Sequence, residues 1–265
     1  MRFFLENHLD FLDKKLNVNL SARLDDYSNF GTEINPSLGL YYKINEDLKL
    51  HGLISRSFRA PTFNDLYWPD EGWIKGNSSL KPEKCITTEA GIESSANKYI
   101  HCALNYFHNE YKQLIQWSDN GSGVWQPMNV SSAVINGIES KNNIYISDNL
   151  DLNVNYTFMI AKDDKTRKYL VYQPQNKVDA SIRYHDPSGL IMELRGEFTG
   201  HRFNDAANNT KVKNFFVFSF NVSKRLRQGL TCFGSIDNLF DRRYQVIHDY
   251  PMPGFSITGG FKAEF

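Results

Sequence analysis

Residues 255–265 read FSITGGFKAEF, and their two faces separate without exception. Phe255, Ile257, Gly259, Phe261, Ala263 and Phe265 fall on one side, Ser256, Thr258, Gly260, Lys262 and Glu264 on the other. Side chains of an extended chain point alternately to opposite faces, so the pattern predicts a β-strand with one greasy face and one hydrophilic face. The same period recurs outward along the chain. LNVNLSARL (16–24) sets Leu16, Val18, Leu20, Ala22 and Leu24 against Asn17, Asn19, Ser21 and Arg23. LDLNVNYTFMI (150–160), LIMELRGEF (190–198) and FFVFSFNVS (215–223) repeat it, and no convincing helical periodicity interrupts. Such segments number roughly thirteen, many of about ten residues, where strands average about five or six. About ten residues is what a tilted strand needs to cross a bilayer.

Connections between the segments sort into two kinds. Tight polar turns are predicted near 13–15 (DKK), 45–47 (NED), 96–98 (ANK), 148–150 (DNL), 186–189 (DPSG) and 227–229 (RQG), each suited to a short hairpin. Longer irregular stretches fall near 28–35, 57–84, 113–130, 162–176, 203–212 and 238–254. One end of the sheet is trimmed and the other elaborated, as in bacterial outer-membrane barrels. Alternation alone also fits a soluble sandwich, but a sandwich has no reason to sort its loops in this way. The expected fold is all-β, a transmembrane antiparallel β-barrel with lipid on the apolar face and a lumen on the polar one.

Composition agrees. Phe (19) and Tyr (14) are abundant, yet mean hydropathy is −0.49. With 30 basic and 30 acidic residues the formal net charge is +0, which gives no electrostatic argument for nucleic acid. No stretch approaches the roughly 18 apolar residues of a membrane helix, and charges scattered through MRFFLENHLDFLDKK do not suit a signal peptide. Cys85, Cys102 and Cys232 lack metal-ligand spacing and read as small strand residues. The histidines do not cluster, so no metal site is assigned. No nucleophile elbow or phosphate loop stands out, and neither an enzyme nor a cofactor is expected.

Residues 58–93 read FRAPTFNDLYWPDEGWIKGNSSLKPEKCITTEAGIE. This resembles the TonB-dependent outer-membrane receptors, through Phe58, Ala60, Pro61, Leu66 and Tyr67, then Asn77, Leu80, Lys81, Pro82 and Glu83, then Glu89, Gly91 and Glu93. Asn136, Gly137 and Glu139 resemble a further motif of that family, and Asn238, Leu239, Phe240 and Asp241 match its N-L-F-D phrase before the terminal strand. One departure is Phe255, which stands where the family usually has Arg. Pro61 and Pro82, unable to donate to a ladder, should mark strand ends. Gly91 and Gly137 should face a lumen crowded by something inside it. The carboxylates Glu89, Glu93 and Glu139 should line that lumen near bases such as Arg183 or Arg195.

The resemblance implies a barrel of 22 strands with a plugged lumen. Residues 1–265 are accordingly expected to form the C-terminal portion of such a barrel, without plug or signal peptide. Its implied partners are the outer-membrane bilayer, the TonB complex acting through a plug, a metal-chelate ligand and the assembly machinery. The last would read the terminal strand through Phe261 and Phe265. The implied function is TonB-energised uptake of an iron-siderophore, haem or cobalamin; a passive pore and a soluble β-sandwich binding module stay open as alternatives. Ligand contacts are expected from aromatic residues on the long loops: Tyr67, Trp68, Trp73, Trp117, Trp125, His248 and Tyr250.

Overall fold

A computed structural model describes residues 1–264, the side chains of Ala96, Val130 and Ser131 apart; the expectations for Phe265 lie outside the described residues. In chain order the elements are β1 (Arg2–Phe11), β2 (Leu16–Tyr27), β3 (Gly31–Lys43), β4 (Leu48–Arg59), α1 (Phe63–Tyr67), β5 (Glu83–Asn97), β6 (Ile100–Asp119), β7 (Trp125–Ser147) and β8 (Leu150–Asp163). They continue as β9 (Asn176–His185), β10 (Leu190–Thr199), β11 (Arg202–Phe203), β12 (Lys211–Val212), β13 (Phe215–Arg227), β14 (Leu230–Asp237), β15 (Gln245–Ile247), β16 (Tyr250–Pro251) and β17 (Ser256–Ala263). Thirteen strands make one antiparallel sheet in the order β1 to β10, β13, β14, β17; β11–β12 and β15–β16 are two-stranded ribbons within loops. β1 and β17 are the edges, and among the described residues each pairs on one side only.

Register converts the alternating sequence into continuous bands. Leu152, Ile182, Leu194, Phe220, Ile236 and Ile257 lie side by side across β8, β9, β10, β13, β14 and β17. One residue along, Asp151, Arg183, Glu193, Asn221, Ser235 and Thr258 form the matching row on the opposite face. The other half repeats this: Phe11, Leu16, Tyr42, Leu50, Ile92 and Leu104 in one row, Asp10, Asn17, Tyr41, His51, Gly91 and Asn105 in its neighbour. Among the described residues no second large sheet covers the apolar rows: Ile54, Phe216 and Ile257 stay 50%, 56% and 68% exposed. A sandwich would bury these side chains between layers, so the soluble alternative fails. Hydrocarbon is the solvent that suits such a face.

All six predicted short turns sit on one rim, and the loops sit on the other. Two loop expectations need correction. The stretch 28–35 is a three-residue turn, because pairing runs on through Tyr27 and Gly31. The stretch 113–130 is mostly strand: β6 and β7 stay paired from Leu114 with Val130 to Asp119 with Trp125. Hydropathy alternation fades there because the hairpin has left the apolar band, while the backbone ladder continues. At about 3.3 Å per residue, the 23 residues of β7 span roughly 75 Å. A one-turn helix, α1, was also not expected from periodicity. Five residues are too few to show a period, and a capping box carries it instead: Thr62 Oγ1 accepts from Asp65 N (3.1 Å) and Asp65 Oδ2 from Thr62 N (2.9 Å).

The polar wall differs from expectation in two particulars. Gly91 and Gly137 are crowded by their neighbours in the wall: a Cβ at either would stand 2.3 Å from the ring of His51 or of Phe107. Glu93 accepts from Tyr41 Oη (3.1 Å) and faces His51, and Glu89, Glu93 and Glu139 share a polar recess with Lys141. Arg195 serves Asp179 and Glu197 instead. Register explains this, since Arg183 and Arg195 lie strands away from β4, β5 and β7.

Candidate ligand-binding site in the loop rim

The family phrase at 58–93 acts as a set of fasteners that seat its long loop on the β6–β7 hairpin. Asp65, buried by α1, accepts from Trp117 Nε1 (2.9 Å) and lies 3.9 Å from Arg59. Burial alone would push the Asp65 carboxyl up, but hydrogen bonding with Thr62 and from Trp117, together with the Arg59 charge, holds it below its usual value. Glu83 takes the Arg59 guanidinium on both oxygens (2.6 and 3.0 Å) and also accepts from Ile115 N (2.9 Å). Asn77 Nδ2 donates to Pro127 O (3.0 Å), and Asn129 exchanges hydrogen bonds with the backbone of Lys81 (2.8 Å each). Pro61 and Pro82 mark strand ends as expected, after β4 and before β5.

With the loop so placed, Trp125 N donates to Trp73 O (2.7 Å) and Lys75 N to Trp125 O (3.1 Å), which ties the loop backbone to the start of β7. Trp73, Trp117, Trp125, His248 and Tyr250 then line a single cavity of about 810 Å³. Trp68 stands behind it, edge-on to Trp117 at 6.4 Å. Tyr67 lies outside the lining and packs on Phe63 (5.1 Å). Much of the remaining wall comes from residues that sequence reading passed over: Leu114 and Ile115 on β6, Leu170, Val171, Tyr172 and Gln173 from the β8–β9 loop, and Asn204 and Ile247. Nothing in YLVYQ (169–173) marks it as a loop that folds inward. Leu170 is buried because its N–H bonds to Ala161 O (3.0 Å) and its side chain packs on Ala133 and Ala161.

The final loop is held by its own fasteners. Asn238, buried and at φ +49°, donates to Arg242 O (2.9 Å) and Pro253 O (3.1 Å) and accepts from Arg242 N (2.8 Å). Asp241 Oδ1 accepts from Phe255 N (2.9 Å). The N-L-F-D phrase is therefore a turn lock, with Phe240 71% exposed. Arg202 is buried, 3% exposed, and its guanidinium donates to the carbonyls of Gly200, Lys213, Gln245 and Val246 while lying 5.5 Å from the Phe215 ring. Burial draws it below its usual value, opposed by Tyr172, yet a guanidinium remains protonated. This one side chain joins the β10–β13 loop to the loop that carries His248 and Tyr250.

A thirteen-stranded sheet with an apolar outer face, a polar inner face and an elaborated rim around an aromatic cavity defines part of an outer-membrane β-barrel of the ligand-receptor type. The model of the family described as "TonB dependent receptor-like, beta-barrel" matches residues 2–239. The chain belongs to this family, and it is an outer-membrane protein. Among curated relatives, a vitamin B12 transporter of Photobacterium profundum is 32% identical over 234 residues, covering 87% of this chain and 38% of its own. A ferric enterobactin receptor of Pseudomonas aeruginosa is 24% identical, covering 91% and 37%. The crystal structure of a point mutant of the Pseudomonas aeruginosa ferric enterobactin receptor in complex with enterobactin superposes with a TM-score of 0.81 at 23% identity, over 100% of this chain and 45% of its own. A copper transporter gives 0.81 at 17%, over 100% and 47%. At such identities the structural likeness speaks for the fold. The chain spans less than half the length of these relatives.

Proposed function

We propose that the chain forms the C-terminal portion of a receptor barrel that takes up a bulky, partly apolar chelate, a cobalamin or a ferric siderophore. The observation that carries this is the aromatic cavity: indoles, an imidazole and a phenol from two loops and the β6–β7 hairpin converge on one space of ligand size. In the complete receptor the free edges of β1 and β17 would be met by further strands, and a plug would couple the lumen to TonB. The curated relatives, transporters and receptors for such compounds, support the reading. Phe261, 74% exposed near the end of β17, suits the strand end that the assembly machinery would grip.

The test is quenching of tryptophan fluorescence in the detergent-solubilised chain, titrated with cyanocobalamin and separately with ferric enterobactin. One of them should quench at micromolar concentration, and Trp125→Ala should weaken binding about 10-fold, about 1.4 kcal/mol. Absence of quenching by both, or full affinity in Trp125→Ala, defeats the proposal. A passive pore would show ion conductance in planar bilayers with no effect of either compound.

A further inference from the structure

Beside the aromatic cavity, and sharing His248 with it, lies a second one of about 750 Å³ between the β10–β13 loop and the final loop. Lys211, Lys213, Arg242 and Arg243 line it, against a single carboxylate, Asp241. In a chain of 30 cations and 30 anions, that local excess is not a composition effect. Nor are these charges spent on partners. Among the described residues none of the four pairs with a carboxylate; in this loop the Asp249 carboxylate lies instead beside His248 Nδ1 (2.9 Å). Asp241 already accepts from the Phe255 backbone (2.9 Å). Lys211 Nζ rests 5.3 Å from the Phe203 ring. Behind the wall sits Arg202, whose partners are carbonyl oxygens and the Phe215 ring, with no carboxylate among the described residues.

Position says which side the cavity serves. Phe215 falls in the inward row, opposite Thr199 and Lys177, while Phe216 points outward and is 56% exposed. Tyr244, in the lining, packs on Phe215 at 4.5 Å. The basic cavity thus opens toward the mouth of the barrel and away from the surrounding lipid. Concave, like-charged surfaces focus potential and concentrate counter-ions, and guanidinium groups match oxyanions through paired donors.

We propose that this cavity is a binding site for a phosphate-type oxyanion carried by a solute entering the mouth. Through His248 it adjoins the aromatic cavity, so a ligand with an apolar body and an anionic arm would fill both. The anion site itself does not depend on that: it stands whether or not the proposed chelate binds next door.

The probe is inorganic pyrophosphate, titrated calorimetrically into the full chain in a non-ionic detergent. Wild type should bind it with an affinity that falls as salt rises. Arg242→Gln/Arg243→Gln should weaken binding at least 10-fold, and Lys211→Gln/Lys213→Gln severalfold. Arg225→Gln/Lys262→Gln, a charge-matched pair at the short-turn rim, should leave it unchanged, with folding checked by heat-modifiable mobility on gels. Trp125→Ala should bind pyrophosphate normally, which separates failure of the chelate reading from failure of this one. No pyrophosphate binding, or equal loss in the rim control, overturns the proposal. So does binding only to vesicles containing phosphatidylglycerol, which would transfer the charge to a lipid-facing role.

Discussion

At the β3–β4 turn, Asn45 Oδ1 accepts from the N–H groups of Asp47 (2.9 Å) and Leu48 (2.8 Å), partners two and three residues away. At the opposite rim, Asp65 is reached by Trp117 from 52 residues along the chain, Asn77 reaches Pro127 across 50, and Arg202 reaches Val246 across 44. The short-turn rim closes turn by turn, with links only between adjacent turns such as Asn149 Nδ2 to His185 O (2.7 Å). The loop rim is a network in which a few buried polar side chains fix the position of everything that surrounds the cavities. Damage to the first should stay local, and damage to the second should spread.

Arg202→Leu is the severest way to break that contrast. It leaves buried carbonyls without a donor, at about 1–3 kcal/mol for each group left unpaired. Hydrogen exchange should show loss of protection at 245–247 and at 211–213, while amides of β9 and β10 keep theirs; unchanged exchange in the final loop would refute the network. Asp65→Asn is next, at about 2 kcal/mol, through weakening of the capping-box bond from Thr62 N and of the charge-assisted bond from Trp117. Its pH counterpart has a definite sign. The Asp65 carboxyl is held below its usual value. Its contribution is therefore complete above the unfolded value of about 3.9 and disappears as pH falls through the lower folded value. Trp117 emission should shift on acidification in the wild type and be pH-independent below about pH 4 in Asp65→Asn.

Turn glycines supply the smaller effects. Gly229 has φ +75°, and a Cβ there would stand 2.6 Å from Glu264 O, so Gly229→Ala should cost about 1.5 kcal/mol in urea unfolding. Gly31, in the three-residue β2–β3 turn on the loop rim, has a similar φ of +76° with nothing within 4 Å of its Cβ position. Gly31→Ala should cost under about 1 kcal/mol, since the gain from a stiffer unfolded chain offsets part of the backbone strain. Neither change should alter binding in the loop rim; if Gly229→Ala abolished it, the two rims would not be independent.

The same contrast explains what could be read from residues alone. Period-two alternation names the strands, and Gly, Asn, Asp and Ser name the short turns, because both signals act between near neighbours. The aromatic residues of the loops were visible by type, but their convergence depends on partners some fifty residues distant. Neither the inward fold of Leu170–Gln173 nor the latch role of Arg202 has any local mark. The β6–β7 extension was missed for a different reason. Outside the apolar band the two faces of a ribbon meet the same solvent, so the alternation that announces a strand is no longer required.

Gly91 and Gly137 carry a consequence for the passage through the barrel. Their missing side chains leave notches in the inner wall, and the rings of His51 and Phe107 lie over them. A ring resting flat takes little from the bore, whereas one displaced by even a methyl group must swing into it. The room over the polar wall at these two levels is thus set by atoms that are not there, and Ala at either position would push a ring out into it.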